Sequence, residues 1–104
     1  MIHVIAIITV KPGNRDTVLA SFRDILPEVR AEVGCLEYGL GMDAEGAPAF
    51  AAKLGPDTLM VVEKWASLET LAAHAAAPHM AVHMTRVKDL IAARAIYVLD
   101  PADG

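Results

Sequence analysis

The apolar positions of the chain recur with spacings that predict alternating strands and helices. Residues 2–10 are apolar at nearly every position, which is typical of a β-strand covered on both faces. Between residues 14 and 33 the apolar side chains recur every three or four positions, which predicts one amphipathic helix. Pro27 lies inside this helix and is expected to bend or divide it, and Gly34 is expected to end it.

Two further strands and a long connection are expected after Gly34. Residues 35–43 alternate loosely and predict a second strand. Residues 44–56 include two glycines and two prolines, which indicates a long hairpin connection before a third strand at 58–65. Alternation predicts which side chains share a face of each strand. In the second strand, one face carries Leu36, Tyr38 and Leu40. In the third strand, one face carries Leu59, Val61, Glu63 and Trp65, and the opposite face carries Met60, Val62 and Lys64.

The last third of the chain predicts two short helices and a fourth strand. Ser67 is expected to cap the first helix, and Pro78 to end it and begin the next. Residues 92–99 predict the last strand, and residues 100–104 are expected to form a frayed tail. The order strand–helix–strand–strand–helix–strand is the split βαβ arrangement of ferredoxin-like α+β folds, with helices on one face of an antiparallel sheet.

The other face of that sheet also needs a cover, because the first strand is apolar on both sides. A second copy of the same sheet would supply it, so we expect one domain over residues 1–104 that forms a two-fold homodimer. The composition agrees, since 55% of the 104 residues are hydrophobic and a small monomer has difficulty burying so much apolar surface.

Charge and cysteine content narrow the class of protein. A net charge of -4, with few and scattered Lys and Arg residues, gives no support for a nucleic-acid partner. The single cysteine, Cys35, excludes an internal disulfide framework and is typical of a reducing compartment. No apolar run approaches the roughly 20 residues that span a bilayer, and the N-terminus does not resemble a signal peptide. We therefore expect a cytoplasmic protein that has no membrane partner.

Familiar cofactor motifs do not occur in the sequence. There is no Gly-x-Gly-x-x-Gly, Walker loop, Cys-x-x-Cys or Ser nucleophile elbow, so we expect no cofactor. His79 and His83 are four residues apart on a predicted helix, a spacing that can bind a metal ion. No carboxylate or cysteine stands beside them at ligand spacing. We therefore interpret both as helix-surface or cleft-edge residues and expect no metal site.

Glu63, Trp65 and His74 are the residues that we expect to meet in one cleft. Glu63 lies on an otherwise apolar strand face, and a buried carboxylate needs a partner, for which His74 on the next helix is a candidate. The alternatives are that Trp65 belongs to the core and that His74 lies exposed on the helix flank. Tyr38 could supply a phenol hydroxyl from the neighbouring strand, or be half-buried with its hydroxyl in water.

Four pieces of the sequence resemble the antibiotic-biosynthesis monooxygenase family. They are residues 32–38 (Glu-Val-Gly-Cys-Leu-Glu-Tyr), 62–67 (Val-Glu-Lys-Trp-Ala-Ser), 71–74 (Leu-Ala-Ala-His) and 78–80 (Pro-His-Met). Their order and spacing extend the resemblance over nearly the whole chain. The long second hairpin, with Ala49-Phe50 and Gly55-Pro56-Asp57-Thr58, is similar in particular to that of bacterial quinol monooxygenases in the family.

The resemblance implies a dimeric α+β barrel that oxidises a quinol or a related phenolic or polycyclic aromatic compound with O2 and no cofactor. Because a deprotonated quinol can itself reduce O2, the protein needs only an apolar pocket, a base and a donor. We expect His74 to act as base or to orient the substrate, since imidazole exchanges protons near neutral pH. Glu63 would fix His74 or a substrate hydroxyl, and Tyr38 would be a donor. The expected substrate-binding residues are Trp65, which would form a pocket wall, with Met60, His79, His83 and Phe22.

The resemblance leaves other functions open. Some relatives degrade haem and are similar in carrying an Asn on the first strand, but the matching position here is Ala6, which argues against haem degradation. A different alternative is a non-catalytic dimeric module that binds a small aromatic or apolar ligand. O2-dependent turnover of reduced naphthoquinones would support the enzyme, tight binding without turnover would support the module, and a Soret shift on titration would support a haem binder.

Overall fold

The computed structural model describes residues 1–103, in which four antiparallel strands form one sheet with helices on one face. The strands are β1 (Ile2–Val10), β2 (Cys35–Gly41), β3 (Thr58–Trp65) and β4 (Ile91–Leu99), in the spatial order β2-β3-β1-β4. The helices are α1 (Arg15–Arg30), α2 (Leu68–Ala75) and α3 (Pro78–Val87), and a short 3₁₀ turn (Lys88–Leu90) leads into β4. The predicted ferredoxin-like α+β fold is confirmed. Of the predicted tail, Gly104 lies outside the described residues.

Helix α1 is continuous, so of the two effects expected of Pro27, bending or dividing the helix, division does not occur. Pro27 lies in the last turn of the helix. The missing N–H therefore removes only one hydrogen bond, and the N–H of Ala31 still donates to the Pro27 carbonyl at 3.1 Å. The helix ends at Arg30, four residues before Gly34, so the prediction that Gly34 would end it is wrong. Gly34, at φ +82°, lies in the turn that follows.

Gly34 also sets how closely the turn after α1 approaches α2. A Cβ atom at this position would overlap the side chain of Thr70. Thr70 is part of a capping box: its N–H donates to Ser67 Oγ and its Oγ1 accepts from the Ser67 N–H, both at 3.2 Å. Ser67 is therefore the predicted helix cap, and the first turn of α2 lies directly against the turn that carries Glu32.

A β-bulge at the start of β2 changes the face on which Leu36 lies. Cys35 pairs with Trp65 and Glu37 pairs with Lys64, so Leu36 is the extra residue between them and its side chain is exposed. The predicted grouping of Leu36 with Tyr38 is therefore wrong. In β3 the predicted alternation is confirmed, since Leu59, Val61, Glu63 and Trp65 are all buried beneath the helices.

The outer face of the sheet carries apolar side chains that no helix covers. Ile5 of β1 is partly buried, while Val62 of β3 is 40% exposed, and Tyr97 and Leu99 of β4 are 52% and 42% exposed. The helices all lie on the opposite face, where the core forms. Within residues 1–103, no helix has the length and apolar character needed to cross a membrane.

Candidate active site

A cavity of about 600 Å³ lies between the inner face of the sheet and helices α2 and α3. Its floor is mostly apolar and comes mainly from β1 and β3, and its roof includes Leu71, Met80 and Met84. Ile96 and Val98 of β4 line one side and are about half exposed, so the cavity opens toward β4. The polar and charged side chains in its wall are Tyr38, Glu63, His74, His83 and Arg94. A mainly apolar cavity of this size with a few polar groups is typical of a small-molecule site.

Strand register separates the polar groups on the cavity floor. Tyr38 pairs with Glu63, and Glu63 pairs with Val4, so these residues share one row across the sheet. Arg94 pairs with Ile8, four positions further along β1. At about 3.3 Å per residue, the row of Tyr38 and Glu63 lies roughly 13 Å from Arg94. One end of the cavity therefore carries a carboxyl group and a phenol, and the other end carries a cation.

Glu63 is bonded to Trp65 rather than to His74. Trp65 Nε1 donates to Glu63 Oε1 at 2.9 Å, and both side chains are buried. The two residues are neighbours on one face of β3, and this places the indole N–H beside the carboxyl group. Burial raises the pKa of the Glu63 carboxyl, partly offset by the bond from Trp65 and by the nearby His74. His74, the candidate partner of the Glu63 carboxyl, is therefore not its hydrogen-bond partner, although both residues line the cavity.

His74 is held by Glu32, a residue that the sequence did not single out for the site. His74 Nδ1 lies 2.8 Å from Glu32 Oε2, and the residue is 5% exposed, so the alternative of an exposed His74 is wrong. The ring also packs on Trp65 and Tyr38, with centroids 4.6 and 5.5 Å away. An ionised carboxylate only accepts hydrogen bonds, so Nδ1 carries the proton. A neutral His74 then has its lone pair on Nε2.

The same carboxylate oxygen also binds His79. Glu32 Oε2 lies 3.0 Å from His79 Nε2, and the exposed Glu28 approaches His79 Nδ1 at 3.5 Å. A carboxylate does stand beside His79, contrary to the reason for expecting no metal site. It was missed because it comes from a turn 42 residues before His74, beyond any local spacing. Glu32 opens the segment 32–38 that carries the family resemblance, which is the one signal that pointed to it.

His83 lies in a separate cluster and forms no pair with His79. Its Nδ1 is 2.8 Å from Ser21 Oγ, and its ring packs on Phe22 with centroids 4.1 Å apart. Burial, with a smaller effect from Arg86, lowers the pKa of His83 to about 4, so the ring is neutral at neutral pH. His83 and Phe22 both lie in the cavity wall, where substrate-binding residues were expected.

Three of the expected substrate-binding residues lie away from the cavity. Trp65 is fully buried behind His74, so it belongs to the core and does not form a pocket wall. Met60 faces outward on β3 because it alternates with the buried positions. His79 lies in the Glu32 cluster. Arg94, which does line the cavity, was missed because only the pairing of β1 with β4 determines its face.

Tyr38 lies in the cavity wall as a buried residue. Its side chain is 4% exposed, so the alternative of a half-buried tyrosine with its hydroxyl in bulk water is wrong. Burial, together with the nearby Glu63 and Glu32 carboxylates, raises the pKa of the Tyr38 phenol. The hydroxyl therefore stays protonated and is able to donate a hydrogen bond into the cavity.

Known proteins resemble this chain over nearly its whole length. The model of the family described as "Antibiotic biosynthesis monooxygenase" matches residues 1–86. The curated relative "Probable quinol monooxygenase YgiN" of Escherichia coli (strain K12) is 35% identical over 103 residues, 97% of this chain and 98% of the relative. The solved structure of Rv0793 from Mycobacterium tuberculosis superposes with a TM-score of 0.80 at 28% identity, covering 99% of this chain and 96% of that chain.

A second solved structure, PA3566 from Pseudomonas aeruginosa, has a TM-score of 0.79 at 24% identity and covers 96% of this chain and 92% of that chain. At this level of identity the likeness bears on the fold alone. The two solved structures agree on the same ferredoxin-like architecture, which extends beyond residue 86 to include β4.

Proposed function

The chain belongs to the antibiotic biosynthesis monooxygenase family, and we propose that it oxidises a quinol or related phenolic aromatic compound with O2 without a cofactor. The observation that carries this proposal is the buried His74 in the wall of a mainly apolar cavity, with its Nδ1 held by the Glu32 carboxylate. The similarity to a relative named as a quinol monooxygenase supports the substrate class.

His74 is the proposed general base. Glu32 accepts from Nδ1, which leaves Nε2 as the acceptor for a phenolic proton of the substrate. When Nε2 takes that proton, His74 becomes a cation beside the Glu32 carboxylate, and this ion pair stabilises the charged state. The resulting quinolate is electron-rich enough to reduce O2. For a hydroquinone, one oxygen atom enters the ring and the other leaves as water, so quinol and O2 give a hydroxyquinone and water.

The remaining polar groups have proposed roles in holding the substrate. Tyr38 donates to the developing quinolate oxygen, because its phenol stays protonated in this buried setting. Glu63 binds a substrate hydroxyl through the oxygen that Trp65 does not occupy, since the indole bonds to Oε1. Trp65 is a positioning residue that supports Glu63 and the ring of His74 from behind. Phe22 and the neutral His83 form part of the wall around the ring system.

The proposal is tested with a panel of reduced naphthoquinones, incubated with the protein in air and under strictly anaerobic conditions. We expect O2 uptake above the uncatalysed rate and incorporation of one atom from ¹⁸O2 into the product, with His74→Gln as the matched control. Tight binding of the quinols without O2 uptake would contradict the enzyme and favour the binding module. A Soret shift on titration with haem would favour the haem binder.

The proposed assembly is a homodimer in which the outer faces of two sheets pack together about a two-fold axis. The uncovered apolar side chains of Val62, Tyr97 and Leu99 support it, because a single subunit leaves them in water. Light scattering of the purified chain should give twice the mass of one chain, and Tyr97→Asp should shift it to the monomer. Val33→Asp, at an exposed site off the sheet, is the control and should stay dimeric.

A further inference from the structure

Three metal-ligating side chains converge at the edge of the site described above. The nitrogen atoms His74 Nδ1 and His79 Nε2 both point at Glu32 Oε2, at 2.8 and 3.0 Å. All three ligand atoms lie within 4.8 Å of one another. Their side chains are only 7%, 15% and 14% exposed, so the cluster is held within the fold rather than spread over a surface.

We propose that Glu32, His74 and His79 bind one divalent transition-metal ion of the Zn²⁺, Co²⁺ or Fe²⁺ type. Two imidazoles and one carboxylate are a ligand set that such ions use when they retain open positions for water. An ion with bonds of about 2.0–2.2 Å to three tetrahedral ligands needs those ligands roughly 3.3–3.6 Å apart. The two contacts of Glu32 are already close to that spacing, so a small rotation of its carboxylate admits the ion.

An exposed outer carboxylate lies within ion-pair distance of the same cluster. Glu28 Oε2 lies 3.5 Å from His79 Nδ1, the ring nitrogen that does not point at Glu32. Metal-binding histidines usually donate their second N–H to a carboxylate, which fixes the ring and its tautomer. Glu28 lies in the last turn of α1 and Glu32 lies four positions later in the turn that follows, so one short segment supplies both carboxylates.

The fold brings the ligands together from three segments. Glu32 comes from the turn after α1, His74 from the last turn of α2, and His79 from the start of α3. Gly34 allows the turn to approach α2 closely, and Pro78 starts α3 three residues after α2 ends. Several elements therefore fix the cluster, which reduces the conformational cost of ordering the ligands around an ion.

The ion and a substrate proton would compete for His74. Metal binding at Nδ1 moves the ring proton to Nε2, so Nε2 no longer accepts a phenolic proton. This consequence rests on the proposed function, whereas the metal site itself does not. The binding test therefore uses the protein without any quinol, so that its failure is distinct from a failure of quinol oxidation.

The experiment titrates the chelator-treated full chain with Zn²⁺ by calorimetry and with Co²⁺ by visible absorption. We expect one ion per chain and an intense Co²⁺ spectrum of low coordination number. Glu28→Gln should weaken binding about tenfold, the usual lower limit for an outer carboxylate. Glu32→Gln and His79→Asn should weaken it further, and His3→Asn, which removes an imidazole from the outer sheet face, should leave it unchanged.

Circular dichroism of each variant separates loss of the site from loss of the fold. His79→Asn removes a ligand at the edge of the cluster, so it keeps the test valid if Glu32→Gln unfolds. Absence of saturable binding to the folded wild-type chain would overturn the proposal. So would one-to-one binding that a folded His79→Asn variant retains at full affinity.

Discussion

His74 and His83 lie in the wall of the same cavity, and their surroundings give them different chemistry. Both are buried, at 5% and 1% exposed, and both use Nδ1 in a hydrogen bond of 2.8 Å. The partner of His74 is a carboxylate, which stabilises an imidazolium. The partner of His83 is the Ser21 hydroxyl, which does not compensate the burial of a charge. Both rings are buried, so the hydrogen-bond partner is what distinguishes them: a carboxylate beside His74 and a hydroxyl beside His83.

The largest expected effect is on turnover. His74→Gln should reduce quinol-dependent O2 uptake by about 10²–10⁴-fold, the usual contribution of a general base. His83→Gln leaves His74 and its Glu32 partner in place, so this substitution should reduce O2 uptake far less. The measurement is O2 consumption at saturating quinol for the two variants side by side. Equal losses in both would remove the distinction drawn between the two histidines.

The next largest effect is that burial of His83 lowers the stability of the folded protein in acid. Its pKa falls from 6.5 in the unfolded chain to about 4 in the folded protein, so the unfolded state binds the extra proton between these values. The free energy of unfolding therefore keeps its full value above about pH 6.5 and decreases as the pH drops toward 4. At about 1.4 kcal/mol per pKa unit, the loss reaches roughly 3 kcal/mol.

Urea unfolding of the wild type and of His83→Gln between pH 7 and pH 4 gives the free energy of unfolding of each protein as a function of pH. The difference between the two curves is the contribution of His83. Glu63 acts in the opposite direction, because its raised pKa favours the folded state when the carboxyl is protonated and this advantage is lost as the pH rises. It is present in both proteins and cancels in the comparison. Parallel curves for the two proteins would show that His83 has no such effect.

A smaller effect is expected at the turn that supports the His74 cluster. Gly34→Ala places a Cβ at φ +82° and against Thr70, and a left-handed alanine alone costs about 1–2 kcal/mol. The overlap should raise the total above about 2 kcal/mol. Gly13→Ala is a matched control, because Gly13 has the same φ of +82° but no atom within 4 Å of the added Cβ. Equal free energies of unfolding for the two variants would mean that the Thr70 side chain moves away from the added Cβ without destabilising the fold.

The smallest effect is expected from the hydroxyl beside His83. Ser21→Ala leaves His83 Nδ1 without its partner in a buried position and should cost about 1 kcal/mol of unfolding free energy. Thr85→Ala removes a hydroxyl that bonds a backbone carbonyl on the exposed side of α3, and it should cost close to nothing. A similar cost for the two substitutions would show that burial adds nothing to the Ser21 bond.

The fold could be predicted from the sequence because it depends on local periodicity. The alternation of β3 put Glu63 beside Trp65, and Ser67 marked the start of α2. The bulge at Leu36 was not predictable, because it arises from pairing with β3. The same limit applied to the site. His74 was recognisable as an unusual residue, but its partner Glu32 reaches it only through a tertiary contact across 42 residues.

The rows of the cavity floor have a consequence for engineering. Val61, Ala6 and Ile96 pair across the sheet and form an apolar row between the Tyr38–Glu63 end and the Arg94 end. These three positions contain none of the groups proposed to handle protons. A larger side chain at Ala6 would shorten the space for a ring system and leave the acid–base end intact. The residues that set the width of the cavity and the residues proposed to handle protons therefore lie in different rows of the sheet. Substitutions in the Ala6 row can change which substrate fits without altering the proposed acid–base groups.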